Sequence, residues 1–371
     1  MASHPDAADT YIRDGEQKAL DLGNRGPVEF AADGGLHPEI LAAYDRFGFY
    51  VFENVLGEPE LEDLRADFEQ MLERAPYTRG AMVDAQGRAA IGTNATGSCF
   101  RFAKPLSDPT GGQGRAPARM LELTPPAESP AFVIVKIANP LPHMDAFLRL
   151  YGHPVLLAAA EQINGPDFTP FTESIVVKQP ELGVSIAWHQ DGTQCWGAPD
   201  WDQDTHGFNF MAQLFHTNAA NGLWVVPGTH KQGQLDIKKM IAENGSDRLP
   251  GAVPMVCSPG DVGIANRQTL HGSFPNTSSD KRVSLIFGFH RRASVEGVRI
   301  ERGDREVLFD DAYIHARSRI ISLAIDARRQ RFPDETSFVY QPLLGQEDYN
   351  RWSEDTRESL LRDYHRYNLD I

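Results

Sequence analysis

His189 and Asp191 stand one residue apart in Ile186-Ala187-Trp188-His189-Gln190-Asp191-Gly192, where a run of alternating apolar residues ends. On a strand, residues i and i+2 share a face, so this imidazole and carboxylate can converge on one centre, such as a metal ion. The spacing alone is not specific, because His4/Asp6 and His143/Asp145 repeat it in the same chain. The residues downstream make the difference. His271, in Asn266-Arg267-Gln268-Thr269-Leu270-His271-Gly272-Ser273, adds a second imidazole. Two imidazoles and one carboxylate bind one face of an octahedral ferrous ion and leave three positions for substrate and dioxygen. Arg282 follows eleven positions after His271, beyond the turn-forming stretch 274–280. That turn is expected to fold the next strand back so that Arg282 projects beside His271, where a guanidinium can clamp a carboxylate bidentately. An open metal site with a carboxylate clamp is what a keto-acid cosubstrate such as 2-oxoglutarate requires.

The elements that must position these groups are legible as changes of texture. Between about 171 and 293, short apolar runs (174–178, 184–188, 208–216, 223–227, 253–257, 261–265 and 283–290) alternate with Gly, Pro and Asn turns. This pattern predicts an antiparallel sandwich or barrel. Ahead of it, helical spacing over 36–47 stops at Gly48, a strand is expected over 49–55, and Pro59 opens a second helix. A strand over 132–137 and interrupted helices over 144–163 precede the β-rich region, and helices over 312–331 and 354–367 follow it. Residues 1–30 lack apolar periodicity and read as a polar arm. The remainder, 31–371, reads as one domain: helical entry 36–75, insertion or lid 77–130, β core 132–293 and C-terminal helices 310–371. The fold class is mainly β with flanking helices.

Composition narrows the partners. The 371 residues are 41% hydrophobic and 23% charged, with a net charge of -15 and a pI near 5.2. An acidic surface repels phosphates, which argues against nucleic acid and anionic membranes as partners. Three scattered cysteines without a Cys-x-x-Cys exclude a disulfide framework and a Cys-rich zinc site. Neither a signal peptide nor a spanning apolar run is visible, so the expected location is the cytoplasm. The Gly-rich stretch 111–114 lacks the Lys-Ser/Thr of a phosphate loop.

From about Leu36 to Arg292 the chain resembles the phytanoyl-CoA dioxygenase family of Fe(II)/2-oxoglutarate-dependent oxygenases. The resemblance lies in 36–55, Val135-Lys136-Ile137, Val177-Lys178-Gln179-Pro180, Trp188-His189-Gln190-Asp191-Gly192, Asn221-Gly222-Leu223-Trp224-Val225-Val226-Pro227-Gly228-Thr229-His230 and His271-Gly272-Ser273 with Arg282. It implies a double-stranded β-helix, or jelly-roll, core. It also implies His189, Asp191 and His271 as iron ligands and Arg282, with Ser273 beside it, on the distal carboxylate of 2-oxoglutarate. Lys136 falls where some members direct a lysine toward the cosubstrate, and Gln190 is placed to reach the site. Met211 stands where a tryptophan is frequent near the cosubstrate, and His216 where an aspartate is common. An intact carboxylate at Asp191 leaves no halide position, so oxygen insertion is favoured over halogenation.

On the substrate side, Trp196 and Trp201 follow the metal strand and can wall a pocket or simply pack. Lys178 can line a pocket or sit at a sheet edge. Met211 joins them as a candidate substrate contact. His206, His216 and His290 are substrate contacts or ordinary sheet residues, and His230 ties down a turn or serves the site. The implied cofactors are Fe(II), 2-oxoglutarate and O2. The implied activity is hydroxylation of an unactivated C–H in a small or medium organic substrate, releasing succinate and carbon dioxide. With the same cofactors, desaturation, epimerisation or oxidative cyclisation is the alternative outcome. A non-catalytic jelly-roll binding protein is the alternative of a different class.

Overall fold

The computed structural model describes residues 5–94, 97–191, 207–302, 305–362 and 364. Helix α1 (Pro5–Leu20) and a short strand β1 (Arg25–Gly26) lead to α2 (Pro38–Phe47), which runs straight into β2 (Phe49–Phe52). Gly48 makes that junction possible. It caps α2 at φ 79°, and a Cβ there would lie 2.5 Å from His230 Nδ1 and from Thr269 Oγ1. Only glycine tolerates both the left-handed backbone and the contact. Helix α3 (Glu58–Glu73) then buries Leu61, Leu64, Phe68 and Met71, one face at helical spacing.

The insertion is not pure loop. It holds a hairpin of β3 (Thr93–Asn94) and β4 (Gly97–Ser98), followed by β5 (Phe100–Ala103) and, after a long ordered excursion, β6 (Val133–Ala138). Pro154 and the Gly152 before it split the next helical stretch into α4 (Asp145–Tyr151) and α5 (Pro154–Asn164). The β-rich region supplies β7 (Thr169–Lys178), β8 (Ile186–His189), β9 (Gly207–Gln213) and β10 (Trp224–Val225). Helix α6 (Ile237–Asn244) interrupts it before β11 (Val253–Pro254), β12 (Val262–Asn266), β13 (His271–Ser273) and β14 (Arg282–His290). A short helix α7 (Arg292–Val295), a hairpin of β15 (Arg299–Arg302) and β16 (Arg305–Leu308), and helices α8 (Asp311–Arg331) and α9 (Glu354–Leu361) complete the described order.

These strands form two facing sheets, one in the order β1-β2-β12-β9-β14-β7-β6-β5 and one in the order β11-β10-β13-β8. With the flanking helices this is the jelly-roll, or double-stranded β-helix, core. Side-chain alternation gives each strand two different environments. On β14, Val283, Leu285, Phe287 and Phe289 enter the large apolar core shared with Ile175, Val177, Phe147, Tyr151 and Leu323 of neighbouring strands and helices. Arg282, Ser284 and Ile286 therefore face the other sheet, where Ile286 and Met211 pack with Val225 and Val253. Helix α8 is tied to α3 by the buried Arg328–Glu60 ion pair at 2.6 Å.

Two expectations change. The polar arm at 1–30 is largely helical and docked: Tyr11 stacks on Trp224 at 4.7 Å, donates to the Leu249 carbonyl at 2.9 Å, and Gly15 abuts Trp224. Tyr11, Ile12, Gly15 and Ala19 share one face of α1 at helical spacing; two of the four are small, so the stripe is weak as an apolar pattern. The 77–130 stretch contributes the edge strand β5 to the large sheet, and its ordered portion packs Ala116 and Met120 against Ala187 and Trp188.

Candidate active site

The small sheet brings the three predicted ligands together. β13 pairs antiparallel to β8 with His271 directly opposite His189, and Asp191 lies two residues past His189. One ligand atom from each of His189, Asp191 and His271 falls within 4.8 Å of the others. The two rings are 4.1 Å apart, and His189 Nε2 lies 3.8 Å from Asp191 Oδ1. Each Nδ1 is engaged by the backbone, His189 with the Ala187 carbonyl and His271 with the Thr269 carbonyl, both at 2.8 Å. That bond places the proton on Nδ1 and leaves Nε2 as the lone-pair donor, the arrangement of metal-ligating histidines. Burial, the neighbouring imidazole and Arg115 hold His189 well below the usual imidazole range. Burial likewise lowers His271. Both rings are therefore neutral and ready to coordinate.

β13 is held in place by the Pro227-Gly228-Thr229-His230 turn. Thr229 Oγ1 accepts from Leu270 N at 2.9 Å and donates to the Val226 carbonyl at 2.6 Å. His230 Nε2 meets the Asp45 carbonyl at 3.0 Å. It braces the end of α2 against this turn, which is the structural alternative for that residue.

Asp191 carries three neighbours that sequence reading missed. Arg115 Nη1 donates to Oδ1 at 2.5 Å, Asn209 Nδ2 donates to Oδ2 at 3.2 Å, and Arg267 Nε lies 3.9 Å from Oδ2. Burial alone would raise this acid, but Arg115, Arg267 and the two imidazoles hold it far below the usual carboxylate range. It is an anion at any physiological pH. Arg267 sits within the very motif that carries His271, four residues before it, and that proximity was the available signal. Asn209 and Arg115 gave none, because their roles depend on strand pairing and on the path of a long loop.

Arg282 does not stand beside His271. It opens β14 in the opposite sheet, paired with Lys178 of β7, because the 274–280 turn crosses between sheets. It is 2% exposed. Its Nε donates to Ser284 Oγ at 2.8 Å, and its Nη1 reaches the Asn221 carbonyl at 3.4 Å. Ser284 donates in turn to Gln213 Oε1 at 2.7 Å. No carboxylate pairs with this guanidinium among the described residues, and burial lowers it to about 10. Ser273 Oγ is buried without a hydrogen-bond partner. A buried cation with neutral partners and an orphaned hydroxyl suit an incoming carboxylate. The residues present thus fit both the metal and a keto acid.

The remaining candidates divide. Lys178 is buried, donates to the Phe274 carbonyl, and is held well below the usual lysine range by burial and by Arg282. It is no sheet-edge lysine; it is interior, in register with Arg282. Lys136 of β6 pairs with Val176, on the same side of the large sheet as Lys178 by alternation. Met211 packs in the apolar cluster between the sheets, two residues from Asn209 on the same row. Gln190 is a correction. Its Nε2 donates to the Gly233 and Gln268 carbonyls at 3.0 and 2.7 Å, and its Oε1 accepts from Leu235 N at 2.9 Å. One residue removed from His189, it takes the opposite side of the strand and braces backbone instead of reaching a cofactor. Trp196, Trp201 and His206 lie outside the described residues.

Residues 115–284 match the family model of phytanoyl-CoA dioxygenase (PhyH), a span that contains the triad and Arg282 and begins at Arg115. Over those residues the chain resembles the phytanoyl-CoA dioxygenase family. It is an oxidoreductase of the Fe(II)/2-oxoglutarate-dependent dioxygenase class, using O2. Similar proteins include the ectoine dioxygenase of Bordetella parapertussis, 23% identical over 315 residues, covering 76% of this chain and 86% of the relative. The ectoine dioxygenase of Halomonas elongata is 24% identical over 299 residues, covering 73% of this chain and 75% of the relative. Among solved structures, EctD from S. alaskensis with 2-oxoglutarate and 5-hydroxyectoine superposes with a TM-score of 0.50 at 20% identity. The superposition covers 74% of this chain and 83% of that one, and shows the shared fold. Among the described residues, no helix is long and apolar enough to cross a membrane.

Proposed function

We propose that this protein hydroxylates an unactivated C–H of a small or medium organic molecule, with release of succinate and carbon dioxide. His189, Asp191 and His271 hold the ferrous ion, and Arg282 with Ser273 receives the distal carboxylate of 2-oxoglutarate. The observation that carries the reading is the pairing of two features. Three convergent ligand atoms belong to residues of the small sheet and the turn that follows β8, and the large sheet carries a buried guanidinium that has no carboxylate partner among the described residues. When bound, iron, 2-oxoglutarate and dioxygen supply an oxidant strong enough to break a C–H bond. The protein's own contribution is positional. The Nδ1 bonds to Ala187 and Thr269 fix the ring planes, Asn209 and Arg267 hold the carboxylate, and Met211 and Ile286 keep the space between the sheets apolar.

Lys136 adds positive charge, and Lys178 a buried amine, on the same side of the large sheet, and residues 31–371 act as one oxygenase domain. The free thiols of Cys99 and Cys257 support a reducing compartment, and we place the enzyme in the cytoplasm. Its partner is a small molecule; the acidic net charge of -15 disfavours nucleic acid and membrane surfaces.

Anaerobic addition of Fe(II) and then 2-oxoglutarate tests the reading. A weak visible metal-to-ligand charge-transfer band is expected, and His189→Ala should abolish it. Iron binding without a band on adding the keto acid would remove 2-oxoglutarate from the assignment. Failure to bind iron at all would favour a binding protein. Product analysis then separates hydroxylation from desaturation, epimerisation or cyclisation.

A further inference from the structure

We propose that Arg115 is the specificity-determining residue for the primary substrate, anchoring an anionic group, a carboxylate, beside the reacting C–H. The proposal rests on the metal assignment above. Arg115 Nη1 donates to Asp191 Oδ1 at 2.5 Å, the oxygen that also lies 3.8 Å from His189 Nε2. The guanidinium therefore borders the position where the three ligand atoms converge. Its side chain is 44% exposed against 8% for Asp191, so it approaches from the open side of the site.

The loop presenting it is built for the purpose. Asp108 accepts from Gly111 N and Met120 N at 2.8 Å each, clasping both ends of the excursion. Thr110 Oγ1 accepts from Ala187 N at 2.9 Å, which ties the loop to the metal strand itself. Ala116, next in sequence to Arg115, is buried against that strand's apolar cluster. Arg115 is thus held at the site by the fold, unlike an ordinary surface arginine.

Asp191 has other support besides Arg115. Asn209 and Arg267 remain as its partners through the other oxygen. Once Oδ1 is committed to a divalent cation, its lone pairs are drawn to the metal, and a second cation on the same oxygen is repelled. Arg115 then turns to the open coordination face, where a guanidinium's planar donor fork selects a carboxylate. Arg282 already serves the cosubstrate's distal carboxylate. The anion left for Arg115 is therefore the substrate's.

The test uses the full chain loaded with redox-silent Mn(II) and 2-oxoglutarate. Acetate, propionate and benzoate are compared with their primary amides by the relaxation that Mn(II) imposes on their protons. Carboxylates should bind about tenfold more tightly than the matching amides, as a charge-assisted contact allows. Arg115→Gln should erase that preference and Arg115→Lys should keep part of it. In both variants Mn(II) affinity by electron paramagnetic resonance and 2-oxoglutarate affinity should stay within about threefold of wild type. Equal relaxation of acids and amides, or none of either, overturns the proposal. So does loss of Mn(II) or of 2-oxoglutarate in Arg115→Gln, which would make Arg115 a support for Asp191 or for the cosubstrate. Failure of wild type to bind Mn(II) and 2-oxoglutarate would instead sink the metal assignment, and the proposal with it.

Discussion

Replacing Arg282 by Met should move two measurements in opposite directions. In the free protein this guanidinium is buried and, among the described residues, hydrogen-bonds to Ser284 and the Asn221 carbonyl. Burial lowers it from 12.5 to about 10. At about 1.4 kcal/mol per unit, holding the charged form there costs about 3 kcal/mol. Met fills similar space without that penalty but forfeits two hydrogen bonds worth about 1 kcal/mol each. The net expectation for the free protein is a stability unchanged or raised by about 1 kcal/mol, which is about 1–3 °C in Tm for a chain of this size. Binding of 2-oxoglutarate should change far more. Two parallel charge-assisted bonds to a carboxylate are worth about 3–4 kcal/mol together, so their loss weakens the keto acid by about two to three orders of magnitude.

The assay pairs thermal unfolding, with and without 2-oxoglutarate, with anaerobic titration of the charge-transfer band. Wild type should gain a few degrees at about 100 times Kd, where ligand linkage is worth about 2.7 kcal/mol, and Arg282→Met should gain none. A variant that loses several degrees as the free protein yet binds the keto acid like wild type would refute the reasoning. Arg282 would then be a structural arginine.

Two further outcomes test the layers around the site. Glu173 faces the helix-covered side of β7, and burial raises it to about 8 despite Arg317 nearby. Between its ordinary value and about 8 the folded state holds a proton that the unfolded state has lost. Its contribution to stability is therefore full below about pH 4.5 and falls as pH rises through 8, by up to about 5 kcal/mol. Glu173→Gln should melt close to wild type at pH 5 and higher than wild type at pH 9; a difference independent of pH would count against the raised value. Gln190→Ala should cost about 1–3 kcal/mol in denaturant unfolding, because three backbone groups, one of them the buried Gln268 carbonyl, lose their partner. The variant's 2-oxoglutarate affinity should stay unchanged, and a large fall in that affinity would return Gln190 to the cosubstrate.

Much of the site was legible without coordinates, for a physical reason. His189 and Asp191 are two apart at a strand end, where the pleat itself dictates a shared direction. His271 and Arg282 follow in an order and chemistry that few other functions need. Helix boundaries such as the stop at Gly48 and the break at Gly152 and Pro154 were likewise local matters of backbone permission.

Tertiary structure decided the rest. Gln190 is polar and adjacent to both ligands, yet the same pleat turns it away. Arg282 is near His271 in sequence but reaches the site from the opposite sheet, since a turn of Pro, Asn and Ser says only that the chain reverses, not which sheet receives it. Asn209 and Arg115 meet Asp191 from a distant strand and a long loop. Tyr11 pins an N-terminal helix with one ring on Trp224. Such contacts depend on where separate elements come to rest, and residue spacing carries no record of that. The electrostatic character of the site is decided in the same way: a chain with net charge -15 sets Arg115 and Arg267 beside the one carboxylate that converges with His189 and His271.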